Sequence, residues 1–411
     1  MIEIDPERLL SDLESLRSFG SVGNGVVRTA FSDVDMKSRR WLVDKLAAAG
    51  LQASIDGVGN VIARSEYCSR ALLVGSHSDT QPTGGWLDGA LGVIYGLEIT
   101  RAYREAGGIP GVGIDVASWM DEEGTHFSSI GSRSFCGEFT DAELMDSPNI
   151  AGERMGALLR HVGLGGVPRS IMDQDRYLGY LEAHIEQGPF LEQAGLRIGV
   201  VTSIVGVRNF VIHFHGSQNH AGTTPMALRR DAGVAAIHAA HDLDHLLARS
   251  ARAATVWTFG DIRFQPGAVS IVPGEAQVRL QVRDADEEFL DSVTRGLEAH
   301  IEELGRSSDV GIELESLHDS VHAITMDDRM QRYCVDAAES RAPGKWMSMQ
   351  SGAAHDAQIL ATKLPSGMIF VPSIGGISHD FAEDTAEDDI VLGCQVMAAA
   401  AEAIMQDAAN R

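Results

Sequence analysis

Ala71-Leu-Leu-Val-Gly75-Ser-His77-Ser-Asp79-Thr80 opens as a short apolar run and closes on polar side chains. A run that brief predicts a buried strand ending in a polar loop. Downstream, residues 89–106 carry a helical pattern closed by Gly107-Gly108. Ile114-Asp-Val-Ala-Ser-Trp-Met120 then repeats the first theme, a second strand running directly into Asp121-Glu122-Glu123. Upstream, residues 6–19 and 34–49 read as amphipathic helices, with Trp41, Leu42 and Leu46 at helical spacing. Strands alternating with helices predict an α/β fold around a mixed, largely parallel sheet. Functional groups of such sheets gather beyond the carboxyl ends of the strands, where both polar clusters lie.

The stretch 205–320 reads differently. Strands at 207–215, 254–260, 276–283 and 310–317 and helices at 229–248 and 285–305 give the order βαββαβ. That order predicts a ferredoxin-like sandwich. The first pattern then resumes, with helices at 327–340, 355–361 and 386–408 and a strand at 367–371. A discontinuous catalytic domain, 1–206 and 321–411, with an inserted domain at 207–320, is therefore expected.

The chain has 411 residues and a formal charge of −25, from 33 Lys and Arg against 58 Asp and Glu. An apolar content of 44% supplies a sizeable core and excludes wholesale disorder. The acidic surplus argues against nucleic acid and against an anionic membrane surface as partners. No signal peptide and no long apolar span is visible. Cys68, Cys136, Cys334 and Cys394 are too scattered for a zinc-ribbon pattern and suit a reducing cytoplasm as four small hydrophobes. Most of the acid reads as solvated surface, as in 383–389, where five of seven residues are acidic.

Against that background a few polar residues stand at strand ends among small neighbours. They are His77, Asp88 within Gly84-Gly85-Trp-Leu-Asp-Gly89, Glu122 and Glu123, His184 and His379. Imidazole and carboxylate together suit zinc, manganese, cobalt or nickel. One carboxylate bridging two ions leaves room for a shared water, activated as hydroxide beside a polarised carbonyl. Singly each residue is weak: one histidine among 15 is ordinarily a surface or satisfied core residue, and Asp121-Glu122-Glu123 alone is a solvated charge run. Their common placement is what points to a dinuclear site.

The motifs GSHSDTQPTGGWLDGALGV (75–93), DEEGTHF (121–127), EAHIEQGP (182–189), HAGTTPMALRRDA (220–232), SGAAHDA (351–357) and GISHDFAED (376–384) occur in this order. In these the chain resembles the amidase/hydantoinase/carbamoylase branch of the dinuclear aminoacylase–dipeptidase metallohydrolases. That branch includes N-carbamoyl-L-amino-acid amidohydrolases, β-ureidopropionase and allantoate amidohydrolase. The resemblance covers nearly the whole chain. It implies an aminopeptidase-like catalytic domain, an inserted lid that forms a homodimer through edge strands, two divalent ions per subunit, and hydrolysis of a linear C–N bond of a ureido acid by bridging hydroxide.

Residue by residue, the resemblance assigns one metal to His77, Asp88 and His184, and the other to Asp88, Glu123 and His379. Glu122 matches the general base, and Asp79 the carboxylate that orients the His77 ring. The histidine at 184 favours the ureido and amide branch over dipeptidases. Gln187 and His355 match substrate contacts, His220 an oxyanion-stabilising donor, and Arg283 the partner of a substrate carboxylate. The bland alternative for Arg283 is a salt bridge with Asp284 or Asp286; for His220 it is a helix-entry polar residue. Arg229 fits its motif but suits structural ion pairing better. Departures fall around the substrate: Ser270 where Asn is frequent, Gln281-Val-Arg283 for Asp-x-Arg, His126 for Arg, and Ala354 for Gly. Rival expectations are an N-acyl-amino-acid amidase or dipeptidase on the same scaffold, and a binding protein that kept the fold without the chemistry.

Overall fold

The computed structural model describes residues 2–66, 68–149, 151–317 and 321–410. It folds as two compact units, residues up to Thr202 with those from Thr325 onward, and Ser203–Ile324. The expected insertion began at 207; its expected end at 320 falls outside the described residues.

The larger unit is built on strands β1 Leu51–Ile55, β2 Val61–Ser65, β3 Arg70–His77, β4 Val112–Trp119, β5 Tyr177–Ile185 and β6 Ile198–Ile204. The smaller unit contributes β7 Gly206–His215, β8 Val256–Gln265, β9 Glu275–Asp284 and β10 Gly311–Ser316. β11 Trp346–Ser351 and β12 Ser366–Val371 return to the larger unit. Its helices are α1 Pro6–Arg17, α2 Asp33–Ala48, α3 Ala90–Glu105, α6 Asp328–Arg341 and α7 Glu387–Ala409; the smaller unit holds α4 Ala232–Ser250 and α5 Glu287–Ser307.

The large sheet runs β6-β12-β5-β3-β4-β2-β1, with β11 beside β6. β12, β5, β3 and β4 are mutually parallel; β6 and β2 run antiparallel to them, and β1 pairs antiparallel with β2. β3 is buried along all but its first residue, as a central parallel strand requires. It is longer than the Ala71–Gly75 run suggested: Ser76 and His77 remain in register with β4, so the histidine ends the strand rather than starting the loop. Leu72 and Val74 of β3 and Val116 of β4 share one apolar core with Leu91, Ile94 and Leu97 of α3 and Ile390, Met397 and Ile404 of α7.

In the smaller unit the strands lie in the order β8-β9-β7-β10, all antiparallel, with α4 and α5 on one face. Phe210, Ile212 and Phe214 alternate toward those helices, packing with Val278, Leu280, Leu243, Leu290 and Leu297. This is the expected βαββαβ arrangement.

Candidate active site

His77 is the last residue of β3, His184 stands next to last in β5, and Asp121–Glu123 begin one residue after β4 ends. His379 follows β12, and Asp88 precedes α3. The parallel strands thus deliver the ligands from their carboxyl ends. Gly89 adopts φ +62, and a Cβ there would lie 2.4 Å from the His77 ring. Only glycine lets the Asp88 loop pass that close.

The geometry separates the residues into the two expected triads. His77, Asp88 and His184 offer ligand atoms within 4.8 Å of one another, as do Asp88, Glu123 and His379. The two oxygens of Asp88 divide between them. Oδ1 lies 3.5 Å from His77 Nε2 and 2.9 Å from His184 Nε2, while Oδ2 lies 3.4 Å from His379 Nε2. His379 Nε2 is in turn 3.5 Å from Glu123 Oε2. His77 Nδ1 donates to the Asp79 carbonyl at 3.0 Å and His184 Nδ1 to the Ile185 carbonyl at 2.8 Å. Those bonds orient both rings so that each Nε2 faces the cluster.

Charge crowding tells the same story. Burial opposes protonation of His77, yet Glu122, Asp88 and Asp79 carry it well above the ordinary imidazole value. Burial and repulsion from Asp88 push Glu123 up to about 7. Burial first, then Glu123 and Asp356, hold Glu122 well above the carboxylate range against the pull of His77. Three imidazoles and crowded carboxylates, one shared between two triads, are the donor chemistry of a divalent-ion pair. The residues fit that group.

Glu122 Oε2 stands 3.6 Å from His77 Nε2 and belongs to neither triad. Gln187 enters the cluster through its amide, 3.0 Å from Asp88 Oδ2. His355 is buried, its ring edge-on to His184 at 4.5 Å and its Nε2 2.8 Å from Ser351 Oγ. Burial and the neighbouring His184 hold His355 well below the usual imidazole value, so it is neutral.

Asp79 differs from expectation. Its carboxylate stays 4.0 Å from His77 Nδ1, and its main-chain carbonyl makes the bond instead. The carboxylate accepts the Asp121 and Glu123 amides at 3.1 and 3.4 Å, fixing the loop that carries Glu122.

In the smaller unit, His220 lies on the short exposed strand Asn219–His220 and pairs with Ile271, next to Ser270. The Gly222 and Thr223 amides donate to its Nδ1 at 3.0 and 3.2 Å, so Nε2 carries the proton and is a ready donor. Arg229 bonds the carbonyls of Thr224 and Ala221 rather than an acid, stapling this loop. Arg283 Nε donates to Gln281 Oε1 at 2.8 Å. Nearby, Asp284 accepts from the Thr255 hydroxyl and Asp286 from Arg252.

Two residues went unassigned in the sequence. Gln81 donates to Glu123 Oε2 at 2.8 Å. Glu383, expected in a solvated acidic run, is only 1% exposed and accepts the Asp88 amide at 3.1 Å. Burial and Asp88 push it up to about 8. Its place inside the His379 motif was the signal; the acids that follow it masked that signal.

Residues 73–403 match peptidase family M20/M25/M40, and the chain belongs to that family of hydrolases. Its kinship lies with the hydantoinase/carbamoylase amidases, as expected. Over 402 residues it is 32% identical to an N-carbamoyl-L-amino acid amidohydrolase of Geobacillus stearothermophilus, covering 96% of this chain and 97% of that one. An allantoate amidohydrolase of Escherichia coli (strain K12) is 32% identical over 389 residues, covering 93% and 94%. The crystal structure of an amidase of the hydantoinase/carbamoylase family from Burkholderia phymatum matches with a TM-score of 0.89 and 50% identity over 99% of both chains.

Proposed function

We propose that this chain hydrolyses a linear C–N bond of a ureido (N-carbamoyl) acid at a dinuclear centre. The observation that carries the reading is Asp88, whose two oxygens face separate His-containing triads with Glu122 alongside. The names of the carbamoylase and allantoate amidohydrolase relatives support the substrate class. His77, Asp88 and His184 would hold one ion, and Asp88, Glu123 and His379 the other; zinc, manganese, cobalt and nickel all suit these donors. Such ions supply a Lewis acid for the carbonyl oxygen and acidify water. Glu122 accepts the proton of the attacking water and returns it to the departing nitrogen. His220 donates from Nε2 to the developing oxyanion, and Arg283 pairs with the substrate carboxylate while Gln187, Ser270 and His355 line the substrate. An N-carbamoyl amino acid gives ammonia, carbon dioxide and the free amino acid.

His220 and Ser270 stand beside the Glu275 end of β9, whereas Arg283 lies eight residues along that strand (275 to 283). Eight extended residues span about 26 Å, far more than one ureido acid. That separation favours a substrate held by groups from two chains, and we infer a homodimer. Its surface is the β8 edge with α4, where Val256, Ile262, Phe264, Val234 and Ile237 are exposed. The opposite edge, β10, is short and carries Glu313 and Glu315, which discourage pairing. Four unpaired thiols fit a cytoplasmic setting, and no described helix is long and apolar enough to cross a membrane.

The test is a metal-reconstituted enzyme assayed on ureido acids and N-acyl amino acids. Ammonia release from the former supports the proposal. Turnover confined to N-acyl substrates, with no ammonia, would replace it with the amidase or dipeptidase reading.

A further inference from the structure

The side chain of Glu383 joins two segments that each bring a ligand to the cluster. Its Oε1 accepts the main-chain amide of Asp88 at 3.1 Å, and its Oε2 accepts the Ser378 hydroxyl at 3.0 Å. Ser378 immediately precedes His379, and its Oγ also lies 3.5 Å from Asp88 Oδ2. Room for this clamp is made on the other side by Gly85. A Cβ there would come within 1.8 Å of Glu383 Oε1. The next residue reinforces the join, since Trp86 Nε1 donates to Asp384 Oδ1 at 3.1 Å.

We propose that Glu383 is a positioning residue, holding the Asp88 and His379 loops at the spacing that lets both bind the same ion. The His379 loop needs such support: His379 sits at φ +55, a left-handed conformation, and Gly375 and Gly376 just before it also have positive φ. Such backbone persists only where surrounding bonds over-determine it. Glu383 supplies two of those bonds and ligates nothing itself. Partners of this kind typically tune metal affinity 10- to 100-fold.

This rests on the dinuclear reading above, and the experiment separates the two. Metal content and affinity are measured by chelator competition and elemental analysis on wild type and on Glu383→Ala, Glu383→Gln, Ser378→Ala and Gly85→Ala. Glu383→Ala should weaken binding of one ion by about 10-fold or more, with activity recovered in excess metal. Gly85→Ala should do the same by displacing Glu383, and Ser378→Ala should do so more mildly. Glu383→Gln should retain most affinity, because an amide can accept from Asp88 through its oxygen and donate to Ser378 through its nitrogen. A Glu383→Gln variant as impaired as Glu383→Ala would show a role for the charge and overturn positioning. Wild-type affinity in both Glu383→Ala and Gly85→Ala would overturn it as well. Should Glu383→Ala not fold, Gly85→Ala and Glu383→Gln decide the matter. A wild type that binds no divalent ion after reconstitution sinks the dinuclear reading itself, whatever the variants do.

Discussion

Glu122 and Glu123 are neighbours in different places, and the proposed function gives them different tasks. Glu123 shares an ion-sized space with Asp88 and His379, whereas Glu122 points to His77 Nε2 from outside both triads. Glu122→Gln should therefore keep its metal and lose about 10³-fold in turnover, a loss within the range for general acid–base groups. Elemental analysis beside steady-state kinetics checks this, and full turnover in that variant would remove Glu122 from the mechanism. Metal removal gives a second prediction from the same crowding. With carboxylates and imidazoles packed at van der Waals range, ions that bind only the folded chain stabilise it by about 2.7 kcal/mol at a hundredfold excess over Kd. Chelation should lower Tm by several degrees as well as abolish activity; an unchanged melting curve on thorough chelation would count against metal at this cluster.

At the scale of elements, the strands and helices that read clearly from sequence were those whose pattern is local. β3, α3 and β4 announce themselves by apolar runs and terminal glycines. β5 does not, though it carries His184. Its sequence Tyr177-Leu-Gly-Tyr-Leu-Glu-Ala-His-Ile185 is buried throughout, yet it contains Glu182 and His184. Glu182 is tolerated there because Ser76, Tyr180 and the Ala357 amide donate to it. Those partners come largely from other segments, so no periodicity could reveal the strand. β1, β2, β6 and β11 were likewise unassigned, being short or mixed in pattern. The same local-versus-distant distinction explains Glu383. Helix starts, by contrast, are local and testable. Asp231 caps α4 by accepting the Gly233 and Val234 amides. Asp231→Ala should cost about 1 kcal/mol, seen as a lower denaturation midpoint of the smaller unit, with metal affinity unchanged. Loss of metal in that variant would mean the cap does more than start a helix.

At the scale of the whole molecule the proposed homodimer raises the question of which chain supplies His220. His220 with Ser270 and Arg283 stand at opposite ends of β9, about 26 Å apart along an extended strand. A two-fold dimer presents the same two groups again in exchanged order, so that each site can take one group from each chain. Complementation tests this directly. Glu122→Gln chains and His220→Ala chains are each prepared and shown to be nearly inactive, then mixed in equal amounts under conditions of subunit exchange. If His220 acts across the dimer, the mixed dimer has one site with native Glu122 and native His220, and one site lacking both. Random exchange makes half the dimers mixed, and half their sites are intact. Activity should therefore return to about a quarter of wild type. If His220 serves its own chain, every site in the mixture is broken and the rate stays at the average of the two parents. A mixture that exchanges subunits, as mass-tagged chains would show, and regains nothing would overturn the crossed arrangement.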